Sequence, residues 1–265
     1  GSREVRLPHE TGVSLTTRDH ESEHKRVTMA DLMTECNYLN PDIEVIAEIN
    51  TSASFETFAE SINTGHGILG TTHATDIDSL VNRAVEQGLP PYLLREIDLV
   101  VFPRKADGDR YVSEVVELLD EQSFRDLDAD EGCGVIRKDE GAVYWNRIAN
   151  RTSDGEFEFA YSHPDLGDDE RDCRIQTLAR IAELTDRDRS AVEAEFHRKH
   201  RYVEHMIREG IDEFDALFEL LADLQTNEAA TVERLNRQAD DGRRARSEAT
   251  EGASASRSTN PGGTE

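Results

Sequence analysis

The stretch Asn40 to Asp76 reads NPDIEVIAEINTSASFETFAESINTGHGILGTTHATD, and its pattern decides the fold. It opens with an apolar run, Ile43-Glu44-Val45-Ile46-Ala47, that ends at Glu48. A short continuous run delivering a carboxylate at its C-terminal end predicts a buried strand of an α/β sheet. Phe55, Phe58, Ala59 and Ile62 then recur at i, i+3, i+4 and i+7, one face of a helix, and Gly65 fits its stop. Ile68-Leu69-Gly70-Thr71-Thr72 predicts a second strand that ends at His73. The order is strand, helix, strand, with Glu48 and His73 both at strand C-termini. Open α/β sheets bind their ligands at that edge.

Working outward, Thr28-Met29-Ala30-Asp31 carries a capping-box pattern with Asp in place of Glu, and predicts a helix through Asn37. Before it, Asp19 to Lys25 is a charged loop, and Arg3 to Pro8 and Gly12 to Thr17 each predict a short strand. After His73, Thr75 is a candidate N-cap for a helix with Ile77, Leu80, Val81 and Val85 on one face. Gly88 ends that helix and Pro90-Pro91 opens another. Ile97 to Phe102 and Tyr111 to Leu119 predict a strand pair joined at Asp107-Gly108-Asp109. Val143 to Ile148 and Glu156 to Tyr161 predict a small β element. Helical patterns follow over Arg174 to Leu184, Asp188 to Arg208 and Ile211 to Leu224, and Gly210 between the last two predicts an antiparallel pair. From about Thr226 the chain turns polar, and Ala245 to Glu265 has almost no large apolar residue, so a disordered tail is expected over 226–265.

The 265 residues carry 30 Lys and Arg against 56 Asp and Glu, a net charge of −26. That length allows one or two domains with a real core. The acidity argues against direct contact with nucleic acid or an anionic membrane, whose phosphates it repels. Only Lys25, Lys105, Lys138 and Lys199 are lysines. An acidic, lysine-poor surface is what a protein kept soluble in high salt needs, and a halophilic archaeon is the expected source, with an ordinary acidic cytosolic protein as the alternative. Cys36, Cys133 and Cys173 are far apart with no paired metal spacing, which fits a reducing cytoplasm. No apolar run approaches the ~20 residues needed to cross a bilayer.

The central stretch resembles the secretion and pilus-assembly ATPase superfamily, the motors of type II and type IV secretion, type IV pili and the archaellum. The family's Walker B region is matched by Pro41-Asp42, Ile43 to Ile46, Ala47-Glu48 and Ile49-Asn50. Its histidine box is matched by Thr64-Gly65-His66 and Thr71-Thr72-His73-Ala74. The resemblance covers roughly residues 3 to 225. It departs at Ala47, where the family has Gly, and at Asn50, where it usually has Arg.

The resemblance implies an α/β fold: a partial RecA-like sheet over residues 1–120, then a C-terminal α+β and helical subdomain over 121–225. It implies ATP and Mg²⁺ as cofactors, with Glu48 holding the metal through bound waters and His73 sensing the γ-phosphate. His66 shares the box, though it also suits a capping or packing role. Arg6 and Arg18 match arginines that approach the nucleotide, and equally suit an exposed hairpin. Implied partners are the subunits of a hexameric ring and a membrane-embedded platform protein met from the cytoplasmic side.

A phosphate cradle needs Gly-x-x-x-x-Gly-Lys followed by Ser or Thr. None of the four lysines here follows a glycine, so the chain has no Walker A loop. The order of motifs places its start where the second half of a motor domain should start. Three readings stay open: the C-terminal part of a secretion ATPase that needs a Walker A segment in cis or in trans, a non-hydrolysing paralogue that regulates such a motor, and an unrelated α/β binding domain.

Overall fold

The computed structural model describes residues 5–9, 11–106, 108–127 and 132–237. The chain divides into two compact units between His197 and Arg198.

In the first unit, Thr28 caps α1 (Met29–Leu39) through the predicted box: its hydroxyl accepts the Asp31 amide and the Asp31 carboxylate accepts the Thr28 amide. Asn40, at φ 49°, turns the chain towards β1 (Ile43–Ile46). The helix α2 (Ser52–Ile62) opens on a second box, Thr51 with Ser54, and buries Phe55 and Phe58. Gly65, at φ 83°, carries the reversal into β2 (Gly67–Gly70). The two strands pair in parallel, Ile43 opposite Gly67 through Ile46 opposite Gly70. Beyond the ladder the Ile49 amide donates to the Thr71 carbonyl and the Thr72 hydroxyl donates to the Ile49 carbonyl, which keeps the strand ends aligned.

The β1 run is not buried on both faces as expected. Ile43 and Val45 are 59% and 39% exposed, with Leu69 of β2 at 60%, while Glu44 and Ile46 point inward. A run apolar at every position suits a strand covered on both faces. Among the described residues this pair gains no third strand, and one face stays uncovered.

Residues 5–9 and 11–17 form no strand, and the positions expected to begin the first one, 3 and 4, lie outside the described residues. Val5, Leu7, Val13 and Leu15 alternate but are exposed, with no sheet edge to pair with. A backbone bridge joins Arg18 to Val27.

After β2, α3 (Ile77–Glu86) is capped by Asp76 rather than Thr75: the carboxylate accepts the Ser79 amide, and the Thr75 hydroxyl donates to that same carboxylate. A short helix α4 (Pro91–Leu94) opens at the expected prolines. Then come β3 (Leu99–Ala106), β4 (Asp109–Leu119), α5 (Glu121–Asp126), β5 (Cys133–Lys138), β6 (Gly141–Arg151) and β7 (Phe157–Phe159). Of the expected turn between β3 and β4, Asp107 lies outside the described residues.

These strands correct the expected architecture. They form one sheet in the order β3-β4-β6-β5, with β7 against β6, and every pairing is antiparallel. The partial RecA-like sheet is therefore not what the larger sheet makes; parallel pairing among the described residues is confined to β1 and β2. The boundary expected at 120/121 runs between strands that share this sheet, since β4 pairs with β6. In the sheet, Gly134 lies opposite Trp145, and a Cβ there would stand 2.8 Å from the indole, so the ring packs flat against bare backbone.

The first core joins both parts: Ile46, Phe55 and Val81 pack with Phe102, Val116 and Val143. A second core gathers Tyr161 of β8 (Tyr161–Ser162), Leu178 and Ala182 of α6 (Gln176–Leu184), and Val192 of α7 (Arg189–Glu209). Opposite β8 runs β9 (Asp172–Cys173). No side chain of α6's own caps its start; instead the fully buried Glu117 of β4 accepts the Gln176 and Thr177 amides, the Thr177 hydroxyl and the Asn146 amide.

The second unit holds the end of α7 from Arg198 and α8 (Phe214–Thr226), with Gly210 at φ 65° between them. Glu228 accepts from Arg198 and from the Tyr202 hydroxyl, both at 2.7 Å, so the chain folds back along α7 as an antiparallel pair should. The tail expected to be disordered from 226 starts otherwise: residues 228–237 are helical, with the Asn227 side chain accepting the Ala230 amide. Residues 238–265 lie outside the described residues. No helix among the described residues is long and apolar enough to cross a membrane.

Candidate functional site

The parallel pair carries Glu48 and His73 to the same edge. Glu48 follows β1 by two residues, His73 follows β2 by three, and the threonine bonds at 71 and 72 hold the two segments side by side. His73 Nε2 lies 3.1 Å from Glu48 Oε1. Both side chains are open to water, the histidine 75% and the carboxylate 49% exposed. One carboxylate oxygen is thus engaged by the ring and the other is free to meet a hydrated cation.

His66 belongs to the opposite end of β2. Its Nδ1 stands 3.2 Å from Oε1 of Glu44, which is 5% exposed, and the second Glu44 oxygen is buried without a partner in the described structure. The two histidines of the box are therefore separated by the strand: His73 meets Glu48 in solvent and His66 meets Glu44 in the interior. Burial pushes the nearby Cys36 thiol up, and the Glu44 charge adds to that.

Among the described residues, the side-chain contact at this edge is that of His73 with Glu48. Arg18 donates to the Lys25 carbonyl at 2.7 Å, closing its own hairpin. Arg6 sits in the exposed N-terminal segment. A different arginine approaches: Arg83 of α3 places Nη2 3.4 Å from both the backbone oxygen and the side-chain oxygen of Asn50. Its Nε is buried without a partner.

Two residues here escaped the sequence reading, and each had a signal. Glu44 interrupts an apolar run, and period-2 alternation puts it on the Ile46 face, which is the buried one. Arg83 lies between Val81 and Ala84, next to the apolar stripe of α3, where an arginine is held rather than solvated.

Among the described residues, an exposed carboxylate and an exposed imidazole share this edge, and they do not by themselves make a nucleotide site. A half-exposed carboxylate with one free oxygen suits Mg²⁺, which keeps several of its waters. The phosphates find no cradle in the helix that follows β1, because Thr51 and Ser54 already occupy the first turn of α2 with reciprocal caps. A cleft lined by Gly88, Pro91, Lys138 and Glu140, and another lined by Ala182, Asp186 and Arg189, contain none of the predicted site residues.

No family model matches this chain. Over 80 residues, 30% of its length, it is 31% identical to an uncharacterized protein of Methanocaldococcus jannaschii, and the match spans 14% of that protein. Among solved structures, 36% of the chain is similar to 27% of the ATPase DotB of Yersinia pseudotuberculosis, with 23% sequence identity and a TM-score of 0.31. The chain thus spans a small share of the curated relative and of the solved structure.

Proposed function

We propose that this chain is the C-terminal portion of a cytoplasmic ATPase that powers type II or type IV secretion, or assembly of a filament like the type IV pilus or archaellum. The observation that carries this reading is the 3.1 Å contact of Glu48 with His73 at the C-terminal edge of a parallel strand pair. In it, Glu48 would hold Mg²⁺ through bound waters, and His73 would supply the group that senses the γ-phosphate. The phosphate cradle comes from a Walker A segment outside this sequence. The uncovered apolar side of β1 and β2, at Ile43, Val45 and Leu69, supports that completion, since parallel strands are stable when layers cover both faces. The segment that covers it is the one bearing the Walker A loop. A ring of subunits docked on a membrane-embedded platform protein, in the high-salt cytoplasm that the acidic composition suits, completes the proposal.

The test is hydrolysis in molar potassium chloride with Mg²⁺ and ATP. The chain alone turns over no ATP. Adding the Walker A half of a secretion ATPase restores turnover, and Glu48→Gln or His73→Ala lowers it at least about 100-fold, the scale of losing a group that positions the reacting centre. Turnover by the chain alone that Glu48→Gln abolishes overturns the reading, and so does restored turnover that is indifferent to both variants. Asn50, held by Arg83 where the family usually has an arginine, favours a second reading in which the chain is a non-hydrolysing regulatory subunit of such a motor. That reading gains if the chain assembles with the Walker A half and no turnover follows.

A further inference from the structure

Away from the Glu48 edge, His163, Asp165 and His197 bring one potential ligand atom each to within 4.8 Å of one another. His163 and Asp165 flank Pro164, at the start of a 3₁₀ turn after β8, and His197 comes from α7, 32 residues beyond Asp165. Oδ2 of Asp165 lies 3.1 Å from His197 Nε2 and 3.7 Å from His163 Nδ1. Ligands about 2.0–2.2 Å from a tetrahedral ion stand roughly 3.3–3.6 Å apart, so these separations bracket what one ion requires.

The hydrogen bonds around the cluster define which ring nitrogens face it. His163 Nδ1 accepts the Asp165 backbone amide at 3.1 Å, so an ion bound at this nitrogen takes the place of that amide. The two imidazoles lie face to face with centroids 3.8 Å apart, so one ring turns when both ligate the same ion. His197 is about nine-tenths buried, and its Nδ1 has no partner in the described structure; neither does the hydroxyl of the equally buried Tyr161, whose ring centroid lies 6.1 Å from that of His197. The His197 nitrogen turned towards the cluster is Nε2, so Nδ1 is the outer nitrogen of the ring.

We propose that His163, Asp165 and His197 form a zinc site that ties the turn after β8 to α7. Two imidazoles and one carboxylate are a borderline-soft set that selects Zn²⁺ over the hard ions Mg²⁺ and Ca²⁺. Three protein ligands leave the fourth position to water, on the side where Asp165 is exposed. The ion closes a long loop over the second core, so its binding adds to folding stability. This site shares no residue with the Glu48 edge, and its fate is independent of the ATPase reading.

The experiment uses the full 265-residue chain, stripped with EDTA and held in molar potassium chloride. Zn²⁺ is titrated against a chromophoric chelator, and Co²⁺ is used to read the ligand field by visible absorption. One high-affinity ion per chain is expected, with a tetrahedral Co²⁺ band and a melting temperature raised by Zn²⁺. Asp165→Asn and His163→Gln, both at partly exposed positions, weaken Zn²⁺ binding about 100-fold or more and abolish the melting shift. His200→Gln and His205→Gln, further along α7, leave both unchanged. Equal affinity in the wild type and Asp165→Asn overturns the site, as does wild-type affinity no greater than that of the doubly substituted H163Q/D165N chain. Because these variants are compared by circular dichroism without metal, a loss of fold is separated from a loss of ligand.

Discussion

At the scale of single residues, two carboxylates, Glu117 of β4 and Glu48 beyond β1, do opposite things. Glu117 is fully buried and accepts four hydrogen bonds, two of them from the first amides of α6. It acts as a helix cap delivered from a strand 59 residues away. Glu117→Ala should cost about 2–4 kcal/mol in denaturant unfolding, because the Gln176 and Thr177 amides and the Asn146 side chain lose their acceptor inside the protein. Glu48 is half exposed and its pair with His73 stands in water. Such pairs contribute about 0–1 kcal/mol, so Glu48→Gln and His73→Ala should leave the unfolding midpoint nearly unchanged. A large stability loss in either would assign the pair to the scaffold. Glu48 and His73 were legible because each ends a strand whose pattern is local. Glu117 and the His163–Asp165–His197 cluster were not, because what defines them is a partner 32 to 60 residues distant.

At the scale of elements, three helices begin on aspartate chemistry. Backbone amides, first that of Thr28 for Asp31, that of Ser79 for Asp76 and that of Ser123 for Asp120, hold these carboxyls below the usual aspartate range. A carboxyl lowered on folding stabilises fully above its unfolded value, near pH 4, and the contribution is lost as pH falls through the lower folded value. Unfolding midpoints should therefore decline below about pH 4, and Asp76→Asn, which keeps an acceptor without the charge, should flatten that decline. Replacing Asp76 with alanine should cost about 1 kcal/mol at neutral pH. The cap at Thr28 could be read from four consecutive residues. Thr75 and Asp76 are both good caps in sequence, and Ser79, three residues after Asp76, is what selects between them. Sheet membership was the harder inference: nothing near Leu119 announces that Tyr144, across α5 and β5, will be its partner. The same limit hid the single layer over β1, since Ile43 and Val45 look like core residues until the neighbours are counted.

At the scale of the whole molecule, 56 acidic residues against 30 basic ones oppose compaction by mutual repulsion. Salt shortens the reach of that repulsion to about 3 Å at 1 M. The melting temperature should rise steeply with potassium chloride from low salt and level off in the molar range; a flat profile would show that the charges are locally compensated. The large antiparallel sheet offers its own way of watching this. Trp145 is the only tryptophan in the chain, seated over Gly134 with the Arg147 guanidinium 5.7 Å from its ring. Its emission is consequently a single-site fluorescent probe built into the strand that links β4 to β5, and a red shift will time the opening of that sheet with no label attached.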